Sequence, residues 1–184
     1  MKKWMPVWAF ALAATSNVAM AQESAVKGYL GGNYVFATYE EDGISEEFDL
    51  GAISAKAGAQ LNPYVAAELR AGVGVSDDST TFFDVKAELE LDYLVGGYLV
   101  AGIPNETPFY PYVVAGFTKA ELSLSATGPG GSISDSASES DVSFGVGTNL
   151  AISEKVRLNA EYMNYLDKDG AEISGVSVGA TFLF

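Results

Sequence analysis

From residue 27 onward, apolar and polar positions alternate with period two in one segment after another, which is the spacing of β-strands and not of helices. The cleanest case is 65–75. There Val65, Ala67, Leu69, Ala71, Val73 and Val75 make one face, and Ala66, Glu68, Arg70, Gly72 and Gly74 make the other. Val85, Ala87, Leu89 and Leu91 oppose Lys86, Glu88, Glu90 and Asp92 in the same way. Phe144, Val146, Thr148 and Leu150 oppose Ser143, Gly145, Gly147 and Asn149, and Val156, Leu158, Ala160 and Tyr162 oppose Arg157, Asn159 and Glu161. The pattern predicts eight strands, at 27–39, 48–61, 65–75, 82–101, 109–124, 142–152, 156–166 and 172–184.

The connections between these strands alternate in character. Asn62-Pro63-Tyr64, Gly102 to Pro108 and Ser153-Glu154-Lys155 are short, whereas Glu40 to Glu47, Ser76 to Thr81, Ser125 to Asp141 and Asp167 to Gly170 are polar and acidic. Gly128 to Ser140, rich in Gly and Ser, reads as a mobile loop. Short turns at one end and longer loops at the other fit a barrel that spans an outer membrane, with the short side periplasmic.

A soluble sandwich or lipocalin-like barrel also alternates. Three features favour the spanning barrel. The apolar face is rich in Ala and Val and poor in the bulky residues that fill soluble cores. The aromatics collect near strand ends, in two bands: Tyr64, Phe109, Tyr110, Tyr112, Phe182 and Phe184 beside the short turns, and Phe36, Tyr39, Phe48, Phe82, Phe83, Tyr162 and Tyr165 beside the loops. Such bands match interfacial girdles. Finally, Val178, Ala180, Phe182 and Phe184 alternate up to the last residue, so Phe182 and Phe184 are candidates for the signal that the barrel-assembly machinery reads. The expected fold is therefore all-β: an eight-stranded antiparallel transmembrane up-and-down β-barrel. Tilted spanning strands need roughly 9–11 residues, and closure satisfies every backbone donor and acceptor, as hydrocarbon requires.

The first residues bear on the compartment. Lys2 and Lys3 precede the apolar run Trp4 to Ala14, and Ala19-Met20-Ala21 offers small residues for a signal peptidase. A membrane anchor is the alternative, but the run is short for a span. The domains expected are a signal peptide, 1–21, and a barrel, 22–184. Removing 21 of 184 residues leaves 163, enough for one domain. All 24 acidic residues but only 8 of the 10 basic ones lie after Ala21, so the mature net charge is −16. That charge gives no electrostatic basis for binding nucleic acid. With no cysteine, disulfides and thiolate metal sites are excluded.

The polar face carries full charges in mid-strand: Lys56, Glu68, Arg70, Lys86, Glu88, Glu90, Lys119, Glu121, Arg157 and Glu161. An eight-stranded barrel has an interior just wide enough for side chains to fill, so these ten are expected to share the lumen as a paired network. Arg70 is expected to reach Glu88 or Glu90 across one hairpin, and Lys86 to reach Glu68 the same way. The two readings of such a network are a salt-bridge plug and a narrow ion path. The acidic loops (Glu40, Glu41, Asp42, Glu46 and Glu47; Asp77 and Asp78; Asp135, Glu139 and Asp141) read either as a solvated rim or as carboxylates for Ca²⁺ or Mg²⁺.

Several segments resemble small OmpA/OmpX-type outer-membrane barrels. Ser143-Phe144-Gly145-Val146-Gly147-Thr148-Asn149-Leu150 and Arg157-Leu158-Asn159-Ala160-Glu161-Tyr162 resemble that family's last hairpins. Phe109 to Phe117 resembles its fifth strand, and Phe182-Leu183-Phe184 its end. The resemblance spans the mature chain and implies an eight-stranded barrel of the broad porin family. It implies no particular activity, because members differ mainly in loops. No peptidoglycan-binding domain is expected. Small barrels that are enzymes rely, as the resemblance has it, on a histidine base, and this chain has no histidine. The expectation is a non-enzymatic, cofactor-free barrel, monomeric, surrounded by outer-membrane lipid and lipopolysaccharide, and helped into place by periplasmic chaperones and the assembly machinery. Its role is then structural or surface-interactive, or alternatively that of a narrow pore.

Overall fold

The computed structural model describes residues 27–41, 48–76, 78–82, 85–128, 131–168 and 170–184, with backbone alone at 41, 78–82, 85–89 and 128. The expected signal peptide, 1–21, lies outside the described residues. Among the described residues all elements are strands: β1 (Lys27–Glu41), β2 (Phe48–Gln60), β3 (Val65–Ser76), β4 (Asp78–Phe82), β5 (Val85–Gly102), β6 (Phe109–Gly128), β7 (Gly131–Ala151), β8 (Val156–Lys168) and β9 (Ala171–Leu183).

Neighbours in the sheet run β3-β2-β1-β9-β8-β7-β6-β5-β4, all antiparallel, and β3 also pairs with β5. That last pairing closes the sheet. β3 pairs with 94–101 of β5 and β4 pairs with 85–89 of the same strand, so β3 and β4 are two lengths of one barrel strand. The barrel thus has eight strands and no side edges around its waist, which is how a sheet survives in hydrocarbon.

The short turns are held by side chains that imitate backbone. Asn62 Oδ1 accepts from the N–H groups of Tyr64 (2.8 Å) and Val65 (2.9 Å). Asn105 Oδ1 accepts from Thr107 N–H at 2.8 Å, and Ser153 Oγ accepts from Val156 N–H at 3.1 Å. Asn and Ser compete for local backbone groups in this way, which is why they punctuate hairpins.

Alternation sorts the faces as expected on β3, where Leu69 is 70 % exposed while Glu68 and Arg70 are buried. Phe36, Phe117, Phe144, Phe182 and Phe184 are also outward and exposed. Five expected girdle residues are not. Tyr112 and Tyr165 are buried inside the barrel and Tyr39, Phe48 and Tyr110 pack partly buried against the interior cluster, because each falls on the inward parity of its strand. The side chains of Phe82 and Phe83 lie outside the description.

A β-bulge between Leu91 and Tyr93 changes the facing of β5. Leu91, expected outward, is buried, and Glu90, expected in the lumen, is exposed. A bulge inserts one unpaired residue and so inverts the parity of everything beyond it.

The expected loops are shorter than the composition suggested. β6 and β7 pair without interruption from Phe109↔Leu150 to Gly128↔Gly131, so most of 125–141 is a strand hairpin. Likewise 78–81, expected in a loop, belong to β4, and Asp167 and Lys168 belong to β8. The reason lies in the sequence after all: Ser132, Ser134, Ser136, Ser138 and Ser140 alternate with Ile133, Asp135, Ala137, Glu139 and Asp141. Period two persists above the membrane, where neither face needs to be apolar.

Candidate functional site

The buried inward side chains fall into two layers. Towards the long-strand end, Val35, Leu50, Leu91, Leu94, Met163, Leu166 and Ile173 form an apolar layer. Below it, towards the short-turn end, sits a charged cluster built from β1, β3, β6 and β8.

Arg70 is its hub. Arg70 Nε donates to Glu68 Oε2 at 2.7 Å, while Nη1 and Nη2 donate to Glu161 Oε1 and Oε2 at 2.5 and 3.0 Å. Tyr29 Oη donates to the other Glu68 oxygen at 2.7 Å, and Tyr112 Oη to Glu161 Oε2 at 2.9 Å. The Arg70 guanidinium lies 4.7 Å from the ring centre of Tyr98. Each carboxylate thus accepts charge-assisted hydrogen bonds from Arg70 and a further one from a tyrosine, as buried ions require.

A second chain of hydroxyls runs from this hub. Ser143 Oγ donates to the Tyr165 carbonyl at 2.8 Å. Its single proton is then used, so Thr118 donates to Ser143 (2.5 Å) and Tyr98 to Thr118 (2.6 Å). The chain has one direction, and its carbonyl end fixes it.

Two close approaches make room for these groups. A Cβ on Gly58 would fall within the Tyr29 ring, and one on Gly31 would lie 2.9 Å from both Lys56 Cε and Thr181 Oγ1. Glycine at 58 lets Tyr29 lie flat against β2, and glycine at 31 lets Lys56 and Thr181 approach across β1.

Of the ten charges expected in the lumen, Glu68, Arg70 and Glu161 meet in the cluster, with Lys56 buried beside them and Arg157 half-buried at the mouth. Lys119, Glu121 and Glu90 do not join. Lys119 is exposed and shares the outward face of β6 with Val113 and Phe117, and Glu121 follows on that face. Glu90 is exposed beyond the bulge, and the side chains of Lys86 and Glu88 lie outside the description.

The expected pairing of Arg70 with Glu88 or Glu90 is replaced by Glu68 and Glu161. Arg70 is opposite Gly96 on β5, far along the strand from both glutamates. Glu68, two residues away on the same face, bends to meet Arg70 at 2.6 Å. Sequence reasoning missed Tyr29, Tyr98, Tyr112, Thr118 and Ser143. Their inward parity was visible, but nothing local marks them as partners for charge. Among the described residues, no group of three or more carboxylates stands close enough to hold a metal ion.

Comparison of the sequence with curated proteins finds no relative. The fold is similar to solved barrels. The attachment invasion locus protein Ail of Yersinia pestis superposes with a TM-score of 0.63 at 16 % identity, over 86 % of this chain and 99 % of Ail. Neisserial surface protein A gives 0.63 at 15 % identity, over 85 % and 97 %. A major outer membrane protein of Thermus thermophilus gives 0.56 at 12 % identity, over 85 % and 99 %. At such identities these likenesses speak for the fold. The model of the outer membrane protein beta-barrel domain matches residues 7–184. With its closed eight-stranded barrel and outward apolar belt, the chain belongs to the outer membrane protein beta-barrel family and resides in the outer membrane with its strand ends at the short turns facing the periplasm.

Proposed function

We propose that this protein is a closed, non-enzymatic surface barrel that engages partners through the extracellular extension of β6 and β7. One observation carries the reading. Among the described residues β8 joins β7 only from Phe144 onward, so there residues 131–143 of β7 are paired on the β6 side alone. An edge of this length is a template for an added strand, because its outward N–H and C=O groups lack ladder partners.

The edge is only partly blunted. Asp135 Oδ1 accepts from Ser136 N–H at 2.9 Å and Asp141 Oδ1 from Val142 N–H at 2.7 Å. Lys168 reaches Glu139 at 2.8 Å across the base of the extension. Between these points the Ser ladder offers hydroxyls on one face, and Asp135 and Glu139 favour an extended segment of basic character.

The two layers in the lumen support a plugged barrel over a pore. The absence of histidine from the sequence supports a role without catalysis. In this reading residues 1–21 direct export, chaperones and the assembly machinery deliver 22–184, and the monomer sits among lipid and lipopolysaccharide.

A proline at Ser138 tests it. The Ser136 and Val142 N–H groups turn to neighbouring carboxylates and away from β6, so by alternation Ser138 N–H also faces the open edge. Ser138→Pro removes a docking donor and spares the β6 ladder. Basic extended peptides selected from a display library should bind the wild-type barrel and slow amide exchange over 134–140, and the variant should lose both effects. Equal binding by the variant would remove the edge-docking reading.

A further inference from the structure

We propose that the periplasmic mouth of the barrel is a binding site for a small free oxyanion, held by Arg157 and Lys56. It lies at the opposite end from the docking edge and does not depend on it.

Two connected spaces open at this end. An outer vestibule of about 530 Å³ is lined by the short turns together with Lys27 and Arg157. An inner cavity of about 30 Å³ continues from it, bounded by Lys56, Glu68, Arg157 and Thr181 among others. Gln60, Tyr110, Asn149 and Arg157 line both and mark the junction. The inner space admits little more than water, so a ligand sits at the junction with its charge turned inward.

The charge there runs against the rest of the protein. In a mature chain of net charge −16, the charged residues lining the two spaces are Lys27, Lys56 and Arg157 against the single carboxylate Glu68. Glu68 is already committed to Arg70 and Tyr29. Lys56 is only 7 % exposed, yet no hydrogen bond or ion pair holds its ammonium among the described residues. Lys56 feels the nearby Glu68 and Glu161 carboxylates, but both are hydrogen-bonded to Arg70 and a tyrosine, so its buried ammonium gains from an anion that bonds it directly.

Register explains how the donors converge. Arg157 is opposite Thr181, Thr181 opposite Gly31, and Gly31 opposite Lys56, one row across four strands. The bare Gly31 lets the Lys56 stem and the Thr181 hydroxyl approach the same point. Thr181 Oγ1 is itself buried without a partner. A planar guanidinium, an ammonium, a free hydroxyl and the Gln60 and Asn149 amides together form a donor set suited to an oxyanion. Its members come from β2, β7, β8 and β9, which with β1 are consecutive in the sheet.

The test uses the mature barrel refolded in non-ionic maltoside micelles, titrated with inorganic phosphate against chloride at matched ionic strength and followed by amide NMR. Saturable shifts centred on Lys56, Arg157 and Thr181 are expected. Lys56→Met and Arg157→Gln should each weaken binding about tenfold, the loss of one charge-assisted hydrogen bond, while Lys56→Arg retains it. Should Lys56→Met fail to fold, Arg157→Gln at the half-exposed mouth carries the comparison. Phosphate shifts no larger than those of chloride, or binding unchanged in Arg157→Gln, would overturn the site. A second arm places the barrel in phosphatidylcholine nanodiscs with and without phosphatidylglycerol and no added phosphate. Unmoved Lys56 and Thr181 amides support a free anion, whereas shifts on adding the anionic lipid alone would assign the donors to a headgroup and overturn it.

Discussion

Arg70 and Glu161 are 91 residues apart in the chain and meet as a two-pronged pair, at 2.5 and 3.0 Å, across the middle of the lumen. Their strands, β3 and β8, stand four steps apart in either direction around the closed sheet. The pair therefore ties opposite walls together, with Glu68 and two tyrosines completing its hydrogen bonds. Every strand-to-strand ladder can form without it, but the lumen cannot be filled in this way unless the barrel is closed.

Arg70→Ala leaves two carboxylates in the lumen without their cation. The expected loss is about 3–5 kcal/mol if the site stays dry, and less if water enters through the vestibule. Adding Glu161→Gln should recover part of it, since coupled residues do not add. Urea unfolding from lipid vesicles followed by circular dichroism measures the cycle. Circular dichroism is preferred because both tryptophans, Trp4 and Trp8, precede the expected cleavage site. Strictly additive losses would mean the pair contributes no coupling.

The outward face of β3 is open to a direct test. Leu69 is 70 % exposed in mid-strand, so Leu69→Arg places a cation against hydrocarbon at a cost of roughly 2–4 kcal/mol near the midplane. Ala66→Ser, beside the inner cavity, should cost less than about 1 kcal/mol because water can reach the new hydroxyl. Folding yields into vesicles compare the two, and equal effects would mean that the faces are misassigned.

Gly58→Val should displace the Tyr29 ring, which occupies the space of the new side chain. Overpacking of this kind costs about 1–3 kcal/mol, and here it also breaks the Tyr29–Glu68 hydrogen bond. Tyr29→Ala in the same chain should reduce the penalty of the valine. An undiminished penalty in the double variant would place the strain elsewhere.

Unboiled protein should migrate faster than boiled protein on a detergent gel, because a closed hydrogen-bonded barrel resists detergent until heated. In planar bilayers the wild type should show no steady open level. Arg70→Ala should stay silent as well, because the apolar layer of Leu91, Leu94, Met163 and Ile173 lies above the charged cluster. A stable conductance in that variant would show that the cluster, and not the apolar layer, is the seal.

The sequence by itself determined the strands, their number and which way most of them face. Period two is a local property: where one face meets lipid and the other the barrel interior, each residue's surroundings select its type, so Leu69 and Arg70 declare their sides without reference to any other strand. The short turns were equally legible, since Asn62, Asn105 and Ser153 close them with their own side chains. What only the tertiary structure decided is whatever depends on strands distant in the chain. The bulge that turns Leu91 inward is a matter of register between β5 and β6. The choice of Glu161 over Glu88 or Glu90 for Arg70 requires knowing which strands stand opposite each other in the closed ring, because a lumen side chain chooses partners by distance across the barrel and not by separation along the chain. The Ser-rich stretch after residue 131 hid for a different reason. Strands above the membrane keep the alternation but lose the apolar face, so composition reads as a loop where backbone pairing with β6 makes a strand.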